Sequence, residues 1–272
     1  MYSKSITRLE ISTIQDLLGH LIIELQPLLN MMPINFKTKQ VNKFKNPPLG
    51  EQSLIREFFE QKNDGFYVDV GANEPIVESQ TWHLEKLGWK GLLIEPTPGY
   101  CEMLIKQRSG TVVQYACSSP ENHDKQLKLI VANGGSTLNP ELLLGKDAHS
   151  LESIEVTCKT LDSILENYHA PIGFYFMSID IEGHEMEMFK GFTLSKWKPK
   201  LVLLEDHVIN HQKHNHMMSN GYQLILRTGV NSWYVPVAEN YKFSLSSKFE
   251  FLRKYWLGLP YRWIRYHRWH RF

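Results

Sequence analysis

Cysteine is scarce in this chain of 272 residues, which contains only three. Cys101, Cys117 and Cys158 are odd in number and widely spaced, and no two of them form a CxxC pair. The sequence therefore predicts neither a disulfide framework nor a zinc site. We expect a protein of a reducing compartment, the cytoplasm.

Long apolar runs are also missing. No window approaches the roughly 20 apolar residues that a membrane-spanning helix needs. Asp16, His20 and Glu24 interrupt the N-terminal hydrophobic stretch, so we expect no signal peptide. The charges nearly balance, with 30 Lys and Arg against 29 Asp and Glu, which excludes a strong overall attraction to polyanions.

The overall composition is that of a globular protein, and the distribution of apolar, basic and proline residues along the chain predicts three parts. Residues 1–50 combine an amphipathic helix over Ile11–Leu29 with a proline-containing linker, and we expect this helix to pack on the body or on a second subunit. Residues 51–240 form the main domain. Residues 241–272 form a segment rich in basic and aromatic residues.

Short β-rich runs alternate with helical patterns through the main domain. Strands are predicted at Phe66–Val70, Leu92–Glu95, Val112–Ala116, Phe174–Ile179 and Leu201–Glu205, and helices at Glu78–Leu87, Tyr100–Gln107, Leu161–Tyr168, Glu185–Lys190 and His211–Asn220. Tyr222–Arg227 and Ser232–Val237 read as a closing antiparallel hairpin. The sequence therefore predicts an α/β fold with a mostly parallel, doubly wound sheet and a terminal antiparallel hairpin.

One stretch departs from this alternation. Two further possible strands, Leu127–Val131 and Ile154–Thr157, flank the glycine-rich run Asn133-Gly134-Gly135-Ser136. The insertion is either a lid or substrate loop, or an ordinary surface excursion.

The first two strands end in residues suited to an adenosine ligand. Gly71 allows close backbone approach, Asp69 can accept a hydrogen bond from an amine, and Glu95 is placed to bind both hydroxyls of a ribose. The loop after Gly71 lacks the G-x-G-x-x-G pattern that NAD phosphates require, and Glu74 adds negative charge. S-adenosylmethionine fits better. The predicted cofactor-binding residues are Asp69, Gly71, Ala72, Asn73, Glu95, Pro96, Cys117 and Ser118.

A third cluster follows the fourth predicted strand. Asp180, Glu182 and His184 are placed to position a hydroxyl, to remove its proton or to hold a cation. A helix start alone would explain the glutamate but neither Asp180 nor His184. We predict catalytic roles for these three residues and for His207 after the fifth strand, with His184 or His207 as the base.

Asp180, Glu205 and His207 together also form a candidate site for Mg²⁺ or another divalent cation. Hydrogen bonding by the same side chains is the alternative. The nearby His211, His214 and His216 have no zinc-site spacing, and we expect them on an exposed helix face.

Four motifs in this order resemble the FkbM-type methyltransferase family over roughly residues 51–237. They are Phe66–Asn73, Gly88–Pro96, Lys159–Ile164 and Ser178–Glu185, and Leu204-Glu205 with His207 resembles the family's fifth strand ending. The first loop departs from the commonest pattern, because Pro75 stands where a second glycine is usual. The resemblance implies a Rossmann-like class I methyltransferase fold and methyl transfer from S-adenosylmethionine to oxygen, commonly a sugar or polyketide hydroxyl.

We therefore expect an O-methyltransferase acting on a saccharide or other small-molecule hydroxyl in surface polysaccharide or glycolipid biosynthesis. An RNA or protein methyltransferase is the first alternative, although the Asn/Asp-Pro-Pro-aromatic motif of amine methylation is absent. A catalytically inactive scaffold that binds the cofactor and tethers partners to a membrane is the second. Homo-oligomerisation stays open.

The C-terminal segment interleaves seven basic residues with aromatic side chains from Ser246 to Phe272, with Glu250 as its single acid. This composition favours an anionic membrane surface. Packing on the domain and nucleic-acid binding are the alternatives. We expect a cytoplasmic protein that is peripheral at the inner face of the membrane.

Overall fold

The computed structural model describes residues 50–131, 136–138, 152–239, 249 and 251–262. The predicted N-terminal helix over Ile11–Leu29 and its linker lie outside the described residues, as do most of the glycine-rich run and residues 263–272.

A seven-stranded sheet forms the centre of the domain. Its strands are β1 (Phe66–Val70), β2 (Lys90–Ile94), β3 (Thr111–Val113), β7 (Phe176–Ile179), β8 (Leu201–Glu205), β9 (Tyr222–Thr228) and β10 (Asn231–Pro236). They lie in the order β3-β2-β1-β7-β8-β10-β9. The first five are parallel, and β10 pairs antiparallel with both β8 and β9. This order confirms the predicted Rossmann-like α/β fold with its closing hairpin.

Helices on both faces of the sheet connect these strands. They are α1 (Glu51–Phe58), α2 (Trp82–Glu85), α3 (Pro98–Gln107), α4 (Leu161–Asn167), α5 (Glu185–Lys190), α6 (Leu194–Trp197) and α7 (Gln212–Ser219). Because both faces are covered, neighbouring strand residues such as Tyr67 and Val68 are both fully buried, each in a different hydrophobic cluster. The near-continuous apolar runs of the parallel strands follow from this double burial.

The insertion forms a second, three-stranded sheet. Its strands are β4 (Ala116–Cys117), β5 (Gln126–Ile130) and β6 (Ser153–Lys159), in the order β4-β6-β5. The prediction of one strand over Val112–Ala116 was wrong, because the chain leaves the main sheet after Val113 and Ala116 pairs with Cys158 instead.

The helix predicted over Glu78–Leu87 is much shorter in the structure, where it covers only Trp82–Glu85. Glu78 has a φ of 63°, which a right-handed helix does not accommodate. Pro75, Ser79 and Thr81, which precede this short helix, accept hydrogen bonds from the buried Arg108. These bonds hold the segment in a loop.

Residues 251–262 pack against the main domain. Tyr255 is fully buried, and its hydroxyl donates a hydrogen bond to Asp206 Oδ2 at 3.1 Å. Phe251 stacks on the Tyr255 ring with centroids 4.8 Å apart, and Arg262 Nε donates to the Val208 carbonyl at 3.0 Å. The packing alternative of the sequence analysis thus holds for this stretch, and membrane binding stays a prediction.

The expectation that three histidines of α7 and its N-cap lie on an exposed face was wrong, because residues 251–262 and α5 cover them. His211 Nε2 donates to the Tyr255 carbonyl at 2.7 Å, and the His214 ring lies 4.8 Å from the Tyr255 ring. His216 stacks on Phe189 at 4.3 Å. In the part of the chain that the structure describes, no helix has the length and apolarity to cross a bilayer.

Candidate active site

A cavity of about 470 Å³ opens at the carboxyl edge of the main sheet. Residues that follow β1, β2 and β7 line it, together with residues of the second sheet. Parallel α/β sheets place ligands at this edge, and the volume lies in the range of small-molecule sites. We name two sides of the cavity: the β1–β2 wall (residues 69–80 and 94–97) and the β7 wall (residues 178–184, with Ala116, Cys117, Leu129, Ser136 and Leu138).

Gly71 brings the two walls together. It has a φ of 83°, and a Cβ at this position would lie 1.8 Å from the Asp180 carbonyl oxygen. The Asp180 amide in turn donates to the Val70 carbonyl at 3.0 Å. Only glycine fits here, because both the backbone angle and the close contact exclude a side chain.

Glu95 is a fixed carboxylate on the β1–β2 wall. Asn73 N donates to its Oε2 at 3.0 Å, and Thr97 N donates to its Oε1 at 2.8 Å. Burial raises the pKa of Glu95, while these two backbone hydrogen bonds oppose that rise. Each carboxylate oxygen keeps a second lone pair, so Glu95 can accept two further hydrogen bonds from a ligand.

Two polar side-chain atoms of the same wall are buried without a hydrogen-bond partner among the described residues: Asn73 Oδ1 and Gln80 Oε1. Both residues line the cavity. Buried polar atoms usually have partners, so these two atoms indicate a wall that is completed by a polar ligand.

Asp69 belongs to a buried network that the sequence analysis missed. Thr81 Oγ1 donates to Asp69 Oδ2 at 2.6 Å and accepts from Arg108 Nη2 at 2.8 Å. Arg108 Nη1 donates to the Pro75 carbonyl at 3.0 Å, and its Nε donates to Glu85 Oε1 at 3.1 Å. Arg108 therefore holds the loop after β1 in place, and Asp69 is hydrogen-bonded within the protein. No sequence pattern marks an arginine after α3 for this role.

Carboxyl groups crowd the β7 wall. Burial and the nearby Glu205 carboxylate raise the pKa of Asp180, whose carboxyl group lies within hydrogen-bonding reach of Glu205. Asp180 lines the cavity, where its surface is open to solvent. Burial and Glu205 likewise raise the pKa of Glu182. The Asp180–Glu205 pair holds a proton more tightly than an isolated carboxyl group does.

Glu205 and His207 form an ion pair behind this wall, with His207 Nε2 3.1 Å from Glu205 Oε1. Burial raises the pKa of Glu205, but His207 and Lys213 more than offset it, so the net shift is downward; the Glu205 carboxylate raises the pKa of His207. Lys213 Nζ lies 2.8 Å from Glu185 Oε2 and donates to the Glu205 carbonyl at 2.8 Å. This lysine offsets part of the negative charge of the cluster.

The predicted metal ligands Asp180, Glu205 and His207 lie in this one cluster. Within the described ranges, however, no group of three His, Cys, Asp or Glu side chains is arranged to hold a metal ion. The divalent cation gains no support from the structure and stays a prediction.

His184 lines the cavity and is held from behind. Its Nε2 lies 3.0 Å from Ser118 Oγ, which also accepts a hydrogen bond from Asn122 Nδ2 at 3.0 Å. Burial lowers the pKa of His184, so the neutral imidazole predominates at pH 7. With Nε2 bonded to Ser118, Nδ1 is the nitrogen left for a ligand.

The structure brings most of the predicted site residues to one cavity. Ten of them line it: Asp69, Gly71, Ala72, Asn73, Glu95, Pro96, Cys117, Asp180, Glu182 and His184. Ser118, Glu205 and His207 do not. Ser118 is fully buried and lies behind His184, and His207 is exposed and paired with Glu205.

Comparisons with known proteins agree with this architecture. A family model described as the methyltransferase FkbM domain matches residues 69–227, more than half of the chain. Among solved structures, a precorrin-6y C5,15-methyltransferase from Geobacter metallireducens GS-15 is 9% identical, with alignment over 68% of this chain and 85% of that chain. Its TM-score of 0.36 is too low to carry an argument. No curated protein sequence matches. By the family match, the chain belongs to the FkbM methyltransferase family, and S-adenosylmethionine is the methyl donor that this membership implies.

Proposed function

We propose that the protein transfers a methyl group from S-adenosylmethionine to a hydroxyl oxygen of a saccharide. The observation that carries this proposal is the contrast within one cavity. A fixed carboxylate, Glu95, lies on the β1–β2 wall, and a neutral histidine, His184, lies on the β7 wall with the proton-holding carboxyl group of Asp180.

The β1–β2 wall has the groups to hold the methyl donor. Glu95 has lone pairs for the two ribose hydroxyls, and Asn73 Oδ1 and Gln80 Oε1 lack partners within the described part of the chain. Asp69 is the predicted partner of the amine, although Thr81 already donates to one of its oxygens. These residues fit a ligand rich in hydrogen-bond donors.

S-adenosylmethionine supplies an electrophilic methyl group on a sulfonium, which moves to the acceptor oxygen as the carbon–sulfur bond breaks. The acceptor hydroxyl must lose its proton in this reaction. His184 is placed to take that proton on Nδ1, because it lines the cavity and its lowered pKa keeps it neutral. His207 does not line the cavity, which leaves His184 as the better candidate of the two predicted bases.

Asp180 is the residue that we assign to positioning the acceptor. Its raised pKa means that much of this carboxyl group is protonated at neutral pH, and a protonated carboxyl group donates a hydrogen bond instead of taking the proton of the acceptor. As a hydrogen-bonding group at the cavity surface, it can fix the acceptor hydroxyl relative to His184. Much of the rate of such displacements comes from alignment of the reacting groups.

The character of the β7 wall favours a saccharide acceptor. Glu182 and Asp180 offer oxygens to several hydroxyls, and Leu129 and Leu138 offer apolar contact beside them. A sugar ring presents both hydroxyls and apolar C–H surfaces. The absence of an Asn/Asp-Pro-Pro-aromatic motif speaks against amine acceptors.

The proposal is tested by incubating the purified chain with S-adenosylmethionine labelled in its methyl group and a panel of saccharides, RNA and protein. Label that enters a saccharide as an alkali-stable ether supports the proposal. Label that enters only RNA or protein would favour the rival methyltransferase, and cofactor binding without transfer to any acceptor would favour the inactive scaffold. Chelator, followed by added Mg²⁺, decides the metal prediction in the same assay.

A further inference from the structure

Residues 251–262, together with Phe249, present two apolar surfaces. Phe251, Tyr255 and Leu259 lie against the main domain and anchor the stretch. On the other side, large side chains face solvent, and we call them the outer tail face: Phe249, Leu252, Trp256, Leu257 and Tyr261, with Trp256 59% and Tyr261 68% exposed.

The sequence of the outer tail face and of the residues that follow it is strongly basic. Residues 249–272 contain six lysines and arginines and a single acidic residue, Glu250. Arg253 is exposed beside Leu252. Exposed apolar and aromatic side chains within a strongly basic stretch match the two components of binding to an anionic bilayer, which are insertion and electrostatic attraction.

The stretch that carries the outer tail face is anchored at the same edge of the sheet as the cavity. The stretch is fixed to Asp206 and Val208, which directly follow β8, and Lys254 Nζ lies 3.4 Å from the Gly229 carbonyl in the β9–β10 turn. The next residues of β10 include Asn231, which pairs with Glu205 and lines the cavity.

We propose that the outer tail face docks on an anionic lipid surface and thereby brings the cavity edge of the sheet to the bilayer. Leu252 and Leu257 favour lipid over nucleic acid, because aliphatic side chains gain from hydrocarbon and do not stack on bases. The docking itself is independent of the chemistry. Its consequence, an acceptor carried on a lipid, rests on the proposed function.

Docking is measured by sedimentation of the full chain with vesicles of phosphatidylglycerol and phosphatidylcholine in equal parts, and with phosphatidylcholine alone. We expect binding to the anionic vesicles, weakened by added salt, and little binding to the neutral ones. Trp256→Ser with Leu257→Ser should weaken it about tenfold or more, because two inserted side chains lose their apolar contact. Ile105→Ser, at a site 66% exposed on α3, is the matched control.

The orientation is measured with a fluorophore on an introduced cysteine. Val77 at the cavity and Ile172 before β7, at the opposite edge, are both 68% exposed. Because the three native cysteines are buried, label goes to the new site. We expect lipids that carry a quencher to reduce the emission at Val77→Cys more than at Ile172→Cys.

Several outcomes would overturn the proposal. These are failure of the full chain to bind anionic vesicles, unchanged binding of the double variant, or equal quenching at both labels. Steep salt-dependent RNA binding without vesicle binding would assign the face to nucleic acid, and a dimer that the double variant splits would assign it to a second copy. If that variant unfolds at a lower temperature than wild type, Leu252→Ser with Tyr261→Ser replaces it. None of these measurements depends on methyl transfer.

Discussion

The two walls of the cavity differ in how their charged groups are held. On the β1–β2 wall, backbone amides fix both oxygens of Glu95, and the Thr81 hydroxyl fixes Asp69. Burial raises the pKa of the carboxyl groups on both walls, but on the β7 wall Asp180 and Glu182 also lie near Glu205, and repulsion between the carboxylates adds to that rise. A group with fixed partners can bind a ligand without changing its charge, whereas crowded carboxyl groups exchange protons. Under the proposed function, the β1–β2 wall would bind the cofactor and the β7 wall would act on the acceptor.

The largest expected effect is on the β7 wall. His184→Ala should lower kcat about 10²- to 10⁴-fold, because the acceptor proton then has no base, while the Kd for S-adenosylmethionine stays within error. His169→Ala, at an exposed position far from the cavity, is the control and should keep wild-type kcat. Turnover and calorimetry measure the two quantities. A His184 variant that turns over normally would remove the histidine from the mechanism.

On the β1–β2 wall the expected effect is on affinity. Glu95→Ala should weaken S-adenosylmethionine binding about 10- to 100-fold, as expected for the loss of charged hydrogen bonds worth about 1.5–3 kcal/mol. Glu95→Gln should retain part of this affinity, and Glu102→Ala on the exposed side of α3 all of it. If Glu95→Ala instead lowers kcat at saturating cofactor and leaves Kd unchanged, the division between the walls is wrong.

Ser118 has two candidate roles, cofactor binding and support of His184. The sequence analysis assigned it to the cofactor, whereas the structure places it behind His184. We expect Ser118→Ala to lower kcat about tenfold and to leave the Kd for the cofactor unchanged. This loss is smaller than the ~100-fold that a 1 Å misplacement of a reacting group can cost, because His184 itself is still present. Ser118→Thr keeps the hydroxyl and should restore part of the rate. A weaker Kd with normal kcat would return Ser118 to the cofactor site.

The pH profile of kcat tests the same histidine. Burial lowers the pKa of His184, with Glu187, Glu185 and Lys190 as its charged neighbours. The neutral form is the active one, so activity should fall only as the pH drops below about 6.5, the ordinary value of histidine. An acid limb above that value would contradict a buried, neutral His184 as the base.

The smallest expected effect is on stability. The pKa of Asp180 is raised in the folded protein, so its contribution to stability is present at low pH and lost as the pH rises through the folded value. Wild type should therefore lose more thermal stability between neutral and alkaline pH than Asp180→Asn. The difference should be about 2–4 °C for each kcal/mol of repulsion between the carboxylates. Parallel curves for the two proteins would mean that Asp180 and Glu205 are not coupled.

Sequence alone located most of the two walls because an apolar strand followed by a polar residue marks the edge of a sheet. Asp69, Glu95 and Asp180 were found in this way. The sequence did not show where Ser118 and His207 lie relative to the cavity. Ser118 contacts His184, which is 66 residues away in the chain, and His207 forms an ion pair with Glu205. Patterns within one strand or helix contain no information about such contacts.

The sequence also did not show which residues of the C-terminal stretch are packed, for a related reason. Its basic and aromatic composition suggested an external role, yet Tyr255 is buried against Asp206 and Ser232. Composition does not distinguish the face of a helix that is packed from the face that is exposed. The alternation of Phe251, Tyr255 and Leu259 with exposed residues becomes informative only once the partner surface is known.

The hydrogen bonds of Arg108 have a consequence for local unfolding of the loop after β1. The loop is closed by hydrogen bonds from this single buried cation to Pro75 and Ser79, and through Thr81 to Asp69. Molecules in which these bonds open locally keep their sheet but lose part of the β1–β2 wall. The apparent affinity for the methyl donor is then the intrinsic affinity multiplied by the fraction of closed loops. Under the proposed function, a residue that lies behind the cavity wall would therefore influence the apparent affinity for the cofactor, and amide hydrogen exchange in residues 74–81 would report the fraction of closed loops.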